Sequence, residues 1–447
     1  MLATEVQEIA HRTRLPIHAG SADALTLARL SRKGPLAIFT ASALDAQRLF
    51  DEIRFFDPTL RVYFFPDWET LPYDQFSPHQ DLVSERLATL YELSRGAFDV
   101  LVIPVTTALY RLAPAAYLAA YTFFLKTGDK LDLDALREQC ATAGYQHVTQ
   151  VLSAGEFSIR GGLIDLFPMG SPLPYRIDLF DDEIESIRTF DVDSQRSIYP
   201  VKELRLLPAR EFSLSAEGIA RFRQQFRDTF EGDPSKSTIY KDISQGIATP
   251  GIEYYLPLFF ESTASIFDYL PAATTLCFHH EIGSAIAGFL SDADSRYRLL
   301  RGDRERPLLP PEALFLDGDS FYRAAKPHKR LELPAPQTGS NEPTPTQKLP
   351  AIAVDRRASN PLANLNAFLD SFPGRVLILA ESLGRRETMA QFFAEHGLRL
   401  ALLESWQDFS TTHAQHMLGV GPLTNGFIHR DEAFAVITES ELYAIQV

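Results

Sequence analysis

The chain has 447 residues, of which 45% are hydrophobic and 23% charged, and its formal net charge is −15. This length allows two to four domains, and the composition is ordinary for a soluble globular protein. We do not expect so acidic a chain to bind nucleic acid through its overall field; a folded protein partner suits the charge better.

The cysteines and the apolar runs indicate the compartment. Cys140 and Cys277 are the two cysteines of the chain, and their wide separation argues against a disulfide scaffold and suits a reducing cytosol. No apolar run approaches the roughly 20 residues that a membrane helix needs, and residues 1–11 lack the pattern of a signal peptide. We therefore expect a cytoplasmic protein without a membrane partner.

Helices and strands alternate through the first part of the chain. The pattern predicts a helix over residues 21–30, a strand over 35–40, a helix that Ser42 opens, and strands over 61–65 and 99–104. This β-α-β rhythm indicates a mostly parallel sheet with flanking helices. We predict that residues 1–124 form part a of a first α/β domain.

The pattern changes over residues 125–208. A helix predicted over 133–144 is followed by several short alternating strands with Gly and Pro turns. We interpret this stretch as a small α+β domain inserted into the first domain, which resumes as part b over 209–305. A helix predicted over 211–230 begins part b, with a core-facing stripe of Ile219, Phe222, Phe226 and Phe230.

A proline-rich stretch precedes the last predicted domain. Residues 331–350 hold five prolines among Gly, Ser, Thr and Asn, a composition that cannot form a core. We predict an extended linker over 306–350 and a separate small α/β domain over 351–447. That domain is expected to hold a helix over 384–396 and strands over 375–380, 399–403 and 434–438.

Nucleotide hydrolysis is the first activity to test in such a fold. A P-loop needs Gly-x4-Gly-Lys-Ser/Thr, because its backbone amides and its lysine bind the phosphates. The corresponding stretch, Ile17-His18-Ala19-Gly20-Ser21-Ala22-Asp23, has no lysine, and Asp23 would repel phosphate. P-loop ATP hydrolysis is therefore not expected, and we predict neither a catalytic residue nor a cofactor for this chain.

Three other motifs have a structural and a functional interpretation. Asp181-Asp182 follows an apolar strand as a magnesium-binding acidic pair would, but without a phosphate-binding lysine we interpret it as a hairpin turn. His279-His280 follows Cys277, but zinc sites need four ligands and no second cluster is near in sequence, so no metal site is predicted. The aromatic loop over residues 66–79 is interpreted as packed rather than base-stacking, because its acidic residues disfavour phosphates.

The inserted stretch presents a candidate binding face. In the strand over residues 175–180, one face holds Tyr175, Ile177 and Leu179, and the other holds Arg176, Asp178 and Phe180. Arginine together with a large aromatic residue is typical of an interface hot spot. Arg160 ends the preceding strand beside two glycines. The alternative, that these arginines are ordinary surface charges and Phe180 fills a second small core, stays open at this point.

Several ungapped motifs carry a family resemblance. They cover residues 67–74, 77–81, 155–190, 191–196 and 251–255. These stretches resemble the N-terminal region of bacterial transcription-repair coupling factors (Mfd), which shares a UvrA-binding module with UvrB. The resemblance implies a UvrB-like split α/β domain, that is, a degenerate helicase-type parallel sheet, with the UvrA-binding domain inserted. It also implies UvrA as the partner and Arg160, Arg176 and Phe180 as the contacting residues.

The resemblance also limits and extends the expectations. The Walker A motif of UvrB is absent, and its aromatic damage-probing hairpin has no counterpart around residues 68–81. Contacts with RNA polymerase and double-stranded DNA, and an ATP- and Mg²⁺-dependent translocase motor, are expected beyond Val447. The alternative function is a cryptic nucleotide- or DNA-binding domain, for which the candidate cations are Arg221, Arg223, Arg227 and those of residues 326–330.

Overall fold

A computed structural model describes residues 11–336 and 344–443 of the chain. The predictions that concern residues 1–10, Pro343 and Val447 lie outside the described residues. The strands are β1 (Arg12–Arg14), β2 (Leu36–Thr40), β3 (Val62–Phe64), β4 (Val100–Pro104), β5 (Phe123–Lys126), β6 (Gln146–His147), β7 (Glu156–Arg160), β8 (Leu163–Leu166), β9 (Tyr175–Phe180), β10 (Glu183–Phe190), β11 (Ser197–Val201), β12 (Glu203–Leu206), β13 (Thr275–His279), β14 (Arg330–Leu333), β15 (Thr346–Gln347), β16 (Arg375–Ala380), β17 (Ala401–Leu402), β18 (His416–Val420), β19 (Phe427–His429) and β20 (Phe434–Thr438).

The α-helices connect these strands and cover the sheets. They are α1 (Ala22–Ser31), α2 (Ala43–Phe56), α3 (Gln80–Ser94), α4 (Val105–Ala108), α5 (Ala115–Ala120), α6 (Leu133–Thr142), α7 (Ala216–Thr229), α8 (Thr238–Ser244), α9 (Ile282–Leu300), α10 (Pro311–Leu314), α11 (Gly318–Ala325), α12 (Ala363–Ser371), α13 (Leu383–Glu395), α14 (Trp406–Thr411) and α15 (Glu439–Leu442). Short 3-10 helices lie at Pro234–Lys236, Ile252–Phe259 and Ile266–Tyr269. Among the described helices, none is both long and apolar enough to cross a lipid bilayer.

A parallel sheet forms the centre of the first α/β unit. Its strand order is β1-β14-β13-β2-β4-β3, and every neighbouring pair is parallel. The inner strands β2 and β4 are buried along their whole length, which is why they consist of continuous apolar runs. Because β13 and β14 follow the inserted strands in sequence, the sheet is built from two separate parts of the chain, as the α/β fold class predicts.

The segment predicted as an extended linker, 306–350, differs from that prediction. It contains α10, α11 and β14, and β14 lies in the central sheet between β1 and β13. Leu331 and Leu333 alternate along β14 and are buried, and Phe321 of α11 is buried as well. Because the segment is rich in proline, its composition does not reveal this apolar pattern. Thr346, inside the proline-rich stretch, is buried and belongs to β15.

One predicted helix begins later than expected. The helix predicted from residue 211 begins at Ala216, because the Ser215 side chain accepts a hydrogen bond from the Gly218 amide and caps it. Of the predicted stripe, Phe222 and Phe226 lie in α7 and are buried, Ile219 is half-buried, and Phe230 follows the last residue of the helix. Glu211 lies outside the helix and forms a buried ion pair with Arg86.

The inserted stretch forms a sheet of its own, and the last stretch forms a third. The inserted sheet has the order β11-β10-β9-β8-β7-β6 and is antiparallel apart from the β6–β7 pair. β5 and β12 pair where the chain enters and leaves it. The third sheet has the order β15-β19-β20-β16-β18-β17. Its residues Leu377, Leu379 and Phe427 share one hydrophobic cluster with residues of α1 and α2.

A buried ion pair connects α3 to the segment that leaves the inserted sheet. Arg86 Nε donates to Glu211 Oε1 at 2.5 Å, and the two side chains are 1% and 5% exposed. Arg86 Nη1 also donates to the Pro66 carbonyl oxygen at 2.9 Å, and the guanidinium lies 4.3 Å above the centroid of the Phe65 ring. This side chain therefore fixes three separate segments at one point.

Replacement of Arg86 by methionine tests this arrangement. Arg86→Met keeps the volume but leaves the Glu211 carboxylate buried without its partner, so we expect the free energy of unfolding to fall by about 3–5 kcal/mol. Urea unfolding measures the change. Arg137→Met is the control, because Arg137 and Asp134 form an exposed pair on α6; equal loss in both variants would contradict the assignment.

Candidate functional site

One face of the inserted sheet carries a row of isoleucines that are paired across neighbouring strands. Ile159 pairs with Ile164, Ile164 with Ile177, and Ile177 with Ile187 across β7, β8, β9 and β10. The last three are at most 1% exposed. Since side chains alternate between the two faces along a strand, the sequence neighbours of these isoleucines point to the opposite face of the sheet. That opposite face carries the predicted site residues.

A buried carboxylate organises the polar face. Asp165 lies opposite Arg176 in the β8–β9 register and is 1% exposed. Its Oδ1 accepts from Arg176 Nε at 2.8 Å, and its Oδ2 accepts from Arg176 Nη2 at 3.0 Å and from Arg160 Nη2 at 2.8 Å. The hydrogen bond with Asp165 raises the pKa of the Arg176 guanidinium above its usual value. One carboxylate therefore holds both predicted arginines on one face.

The two arginines differ in exposure. The Arg176 side chain is 15% exposed and lies 4.7 Å above the centroid of the Phe190 ring, and its Nη1 donates to the Gln195 carbonyl oxygen at 3.0 Å. The Arg160 side chain is 53% exposed. Arg160 thus presents donors to solvent, whereas most of Arg176 is engaged within the sheet.

Phe180 lies at the end of β9, beside a tight turn. It is 74% exposed, so the alternative that it fills a second small core is wrong. The turn that follows joins β9 to β10 and contains Asp181 in a left-handed conformation at φ 58°. The predicted hairpin turn at Asp181-Asp182 is therefore confirmed. An aromatic side chain so exposed contributes little to the fold and is available to a partner.

The glycines before β8 are required by the backbone. Gly161 has a φ of +62°, which a residue with a side chain rarely adopts. A Cβ on Gly162 would lie 3.3 Å from the Leu179 carbonyl oxygen. The turn thus brings β7 and β8 close enough for Arg160 to reach Asp165.

Sequence reasoning named Arg160 and Arg176 but not Asp165, which connects them. The signal was an acidic residue inside an apolar strand, Leu163-Ile164-Asp165-Leu166, because a buried carboxylate requires a partner. It also missed Arg188, whose Nη2 donates to Asp178 on the same face. The polar face of the sheet is therefore a network of charges rather than a pair of isolated arginines.

A second candidate site lies where a P-loop would be. Asp23, near the start of α1, accepts two hydrogen bonds from Arg48, at 2.9 and 2.7 Å, and its Oδ2 lies 2.9 Å from His279 Nε2. Burial alone would raise the pKa of Asp23. The hydrogen bonds with Arg48 and His279 outweigh this effect and hold that pKa well below its usual range. An ionised carboxylate at this position disfavours an anionic phosphate beside the start of α1.

The third sheet contacts this same loop. The Ser21 amide donates to the Asn425 carbonyl oxygen at 3.0 Å, and a Cβ on Gly20 would lie 2.2 Å from the Gly426 carbonyl oxygen. The Thr424 amide donates to Glu52 Oε1 at 2.8 Å, and that oxygen also accepts from Ser21 Oγ. Backbone atoms of the third sheet thus lie against the loop that precedes α1.

The histidines after Cys277 have a third potential ligand near them in space, from a part of the chain that is distant in sequence. Ligand atoms of Asp23, His279 and His280 all lie within 4.8 Å of one another. Asp23 and His280 border a cavity of about 500 Å³ that His18 and Arg48 also line, whereas His279 is fully buried. Burial lowers the pKa of His280 to about 4, with a further contribution from His279.

The three arginines of α7 that were candidates for phosphate binding have local partners. Arg221 pairs with Glu217 and Glu261, and Arg223 and Arg227 both donate to the Tyr240 hydroxyl. In the loop over residues 66–79, Trp68 and Tyr73 are buried as expected, whereas Phe76 is 72% exposed. In the 326–330 stretch, Arg330 begins β14 in the central sheet. The candidate cations thus lie on different elements, α7 and the segment that leads into β14.

Comparison with known families defines the class of protein. Residues 123–212 match the UvrB interaction domain, and residues 368–442 match the family described as "MFD, D3 domain". The first match covers the inserted sheet with Asp165, Arg160, Arg176 and Phe180. The chain is therefore a UvrB-like α/β protein that carries a UvrB interaction domain.

Full-length relatives identify the particular family. The chain is 39% identical to the transcription-repair-coupling factor of Escherichia coli (strain K12) over 98% of its own length, and this covers 39% of that relative. It is 39% identical to that of Haemophilus influenzae over 94% of its length, covering 37% of that relative, and 29% identical to that of Bacillus subtilis over 54%. The chain corresponds to the N-terminal region of the transcription-repair-coupling factor family and spans about two fifths of the first two relatives.

The role of Asp165 can be tested by one substitution. Asp165→Asn keeps the shape but removes the charge that both arginines share, so we expect the free energy of unfolding of the inserted sheet to fall by about 3 kcal/mol. Hydrogen exchange of the β8 and β9 amides measures this locally. Asp182→Asn is the control, because the Asp182 side chain is 58% exposed and pairs with Lys130 at the surface. Unchanged exchange in Asp165→Asn would contradict the organising role.

Proposed function

We propose that the inserted sheet is a docking surface for UvrA and that the chain couples transcription to excision repair. The observation that carries this proposal is the exposed Phe180 on the same strand as Arg176, within the stretch that matches the UvrB interaction domain. An exposed aromatic residue on a face with a charge-paired arginine is the composition of an interface hot spot.

The three residues have separate roles in this proposal. Phe180 supplies apolar area, since its side chain is free of the fold. Arg160 supplies guanidinium donors from a half-exposed side chain whose direction the Asp165 hydrogen bond restricts. Arg176 is a positioning residue, because its bidentate contact with Asp165 holds the carboxylate that orients Arg160. Such prior orientation reduces the side-chain entropy that binding would otherwise cost.

The function of the whole protein extends the proposal beyond this chain. Relatives named transcription-repair-coupling factors are more than twice as long as the matched region. We infer that the remaining regions contact RNA polymerase and double-stranded DNA and use ATP and Mg²⁺ to displace polymerase stalled at damage. The present region would then recruit UvrA to the same place.

Titration with purified UvrA tests the docking surface. We expect the chain to bind, and the Phe180→Ala/Arg160→Ala double variant to bind at least about 30-fold more weakly, which corresponds to about 2 kcal/mol of hot-spot energy. Isothermal titration gives both dissociation constants. Phe124→Ala is the matched control, because Phe124 is an exposed aromatic on β5, outside the polar face, at 47% exposure.

Arg176 needs a different substitution, because alanine would leave Asp165 with one partner fewer. Arg176→Lys keeps the charge but removes the bidentate geometry. We expect it to weaken UvrA binding less than the double variant does. Wild-type affinity in a folded Phe180→Ala/Arg160→Ala variant would refute the docking surface.

A further inference from the structure

The carboxyl end of β13 brings two imidazoles against a carboxylate from a distant part of the chain. His279 is the last residue of β13, and its Nε2 lies 2.9 Å from Asp23 Oδ2. The His279 and His280 ring centroids lie 3.7 Å apart. With Asp23 they offer three ligand atoms within 4.8 Å of one another. The carboxyl ends of parallel strands are the usual place for ligands in open α/β sheets.

A separate observation indicates a ligand in the same cavity. His18 lines the cavity beside Asp23 and His280, is 5% exposed, and has no hydrogen-bond partner at either ring nitrogen. His279 is fully buried, and its Nδ1 also has no partner. Buried polar groups without partners are uncommon in native proteins and call for an explanation.

The hydrogen bonds of Asp23 define where a metal ion would bind. An ionised carboxylate offers about four lone-pair sites. Asp23 Oδ1 accepts from Arg48 Nη1 and from the Ala24 amide, and Oδ2 accepts from Arg48 Nη2 and lies 2.9 Å from His279 Nε2. A metal ion would therefore bind between Asp23 Oδ2 and His279 Nε2, in place of the hydrogen bond that joins them. Glu52, which accepts from Arg48 at 2.8 Å, keeps the guanidinium partly neutralised. The cavity itself is bordered by three carboxylates, of Asp23, Asp45 and Glu441, and by two cationic side chains, of Arg48 and Lys348, so carboxylates outnumber cations around it.

The ligand types select the class of metal. Two imidazoles and one carboxylate suit zinc and its neighbours among the divalent transition metals, whereas Mg²⁺ and Ca²⁺ prefer oxygen ligands. Bond lengths of about 2.0–2.2 Å place neighbouring ligand atoms roughly 3.3 Å apart in a tetrahedral zinc site. Asp23 Oδ2 and His279 Nε2 lie 2.9 Å apart and the ligand atoms of all three groups lie within 4.8 Å, so small side-chain adjustments would bring them to this spacing, and a water molecule would supply the fourth ligand.

We propose that Asp23, His279 and His280 form a binding site for one divalent transition-metal ion of the zinc class at the carboxyl end of the central sheet. The site is independent of UvrA docking and of nucleotide chemistry. It connects the start of α1 to the end of β13, so a bound ion stabilises the first α/β unit by binding the folded state.

Metal titration of the full chain tests the proposal. We expect one equivalent of Zn²⁺ to bind by isothermal titration and one equivalent of Co²⁺ to give visible absorption. His280→Gln and His279→Gln each should weaken Zn²⁺ binding at least tenfold. Added Zn²⁺ should raise the thermal midpoint of the parent chain and not that of His280→Gln.

The exposure of each histidine determines which variants serve as the control and as the decisive test. His413→Gln is the matched control, because His413 is exposed and distant in sequence from the cluster. His280→Gln keeps the test decisive if the fully buried His279 variant does not fold, since the His280 side chain is 22% exposed. Absence of one-equivalent binding by the parent chain, or parent-like binding by His280→Gln, overturns the assignment.

Discussion

The buried Glu52 carboxylate connects the first α/β unit to the third sheet, and the Arg48 guanidinium holds it in place. Arg48 contacts both Asp23 and Glu52, and the Glu52 side chain is fully buried. Burial raises the pKa of Glu52, and the contacts with Arg48, Thr424 and Ser21 oppose that rise. Because Glu52 accepts from Ser21 in one unit and Thr424 in another, the network can be satisfied only when the two units are in contact.

The inserted sheet uses the same chemistry for a different purpose. Asp165 is as buried as Glu52, but one of its two arginines keeps half of its side chain in solvent. The buried network around Glu52 stabilises the contact between two units, whereas the partly exposed network around Asp165 leaves the charge of Arg160 available to a partner. The paired isoleucines on the reverse face give the sheet its apolar core, and the Asp165 network adds to its stability from the polar face.

The features of the fold and the site that depend on local sequence patterns can be predicted, and those that depend on distant contacts cannot. Strands β2, β3 and β4 of the central sheet follow from apolar runs, and the polar face of β9 follows from period-two alternation. The contact between Asp23 and His279 does not, since 256 positions separate them and only the sheet order brings them together. The start of α7 was misplaced because Glu211 looks helical in sequence but is needed by Arg86. Strand β14 was missed because prolines lie close to its end.

The exposure of Phe180 has a consequence for how this position evolves. Substitution at most aromatic positions in the chain changes packing, so selection there mixes folding with any other role. Phe180 is free of that constraint, because nearly three quarters of its surface is in solvent, at 74%. The residues tolerated at this position in a large variant library should therefore reflect the chemistry of the partner alone.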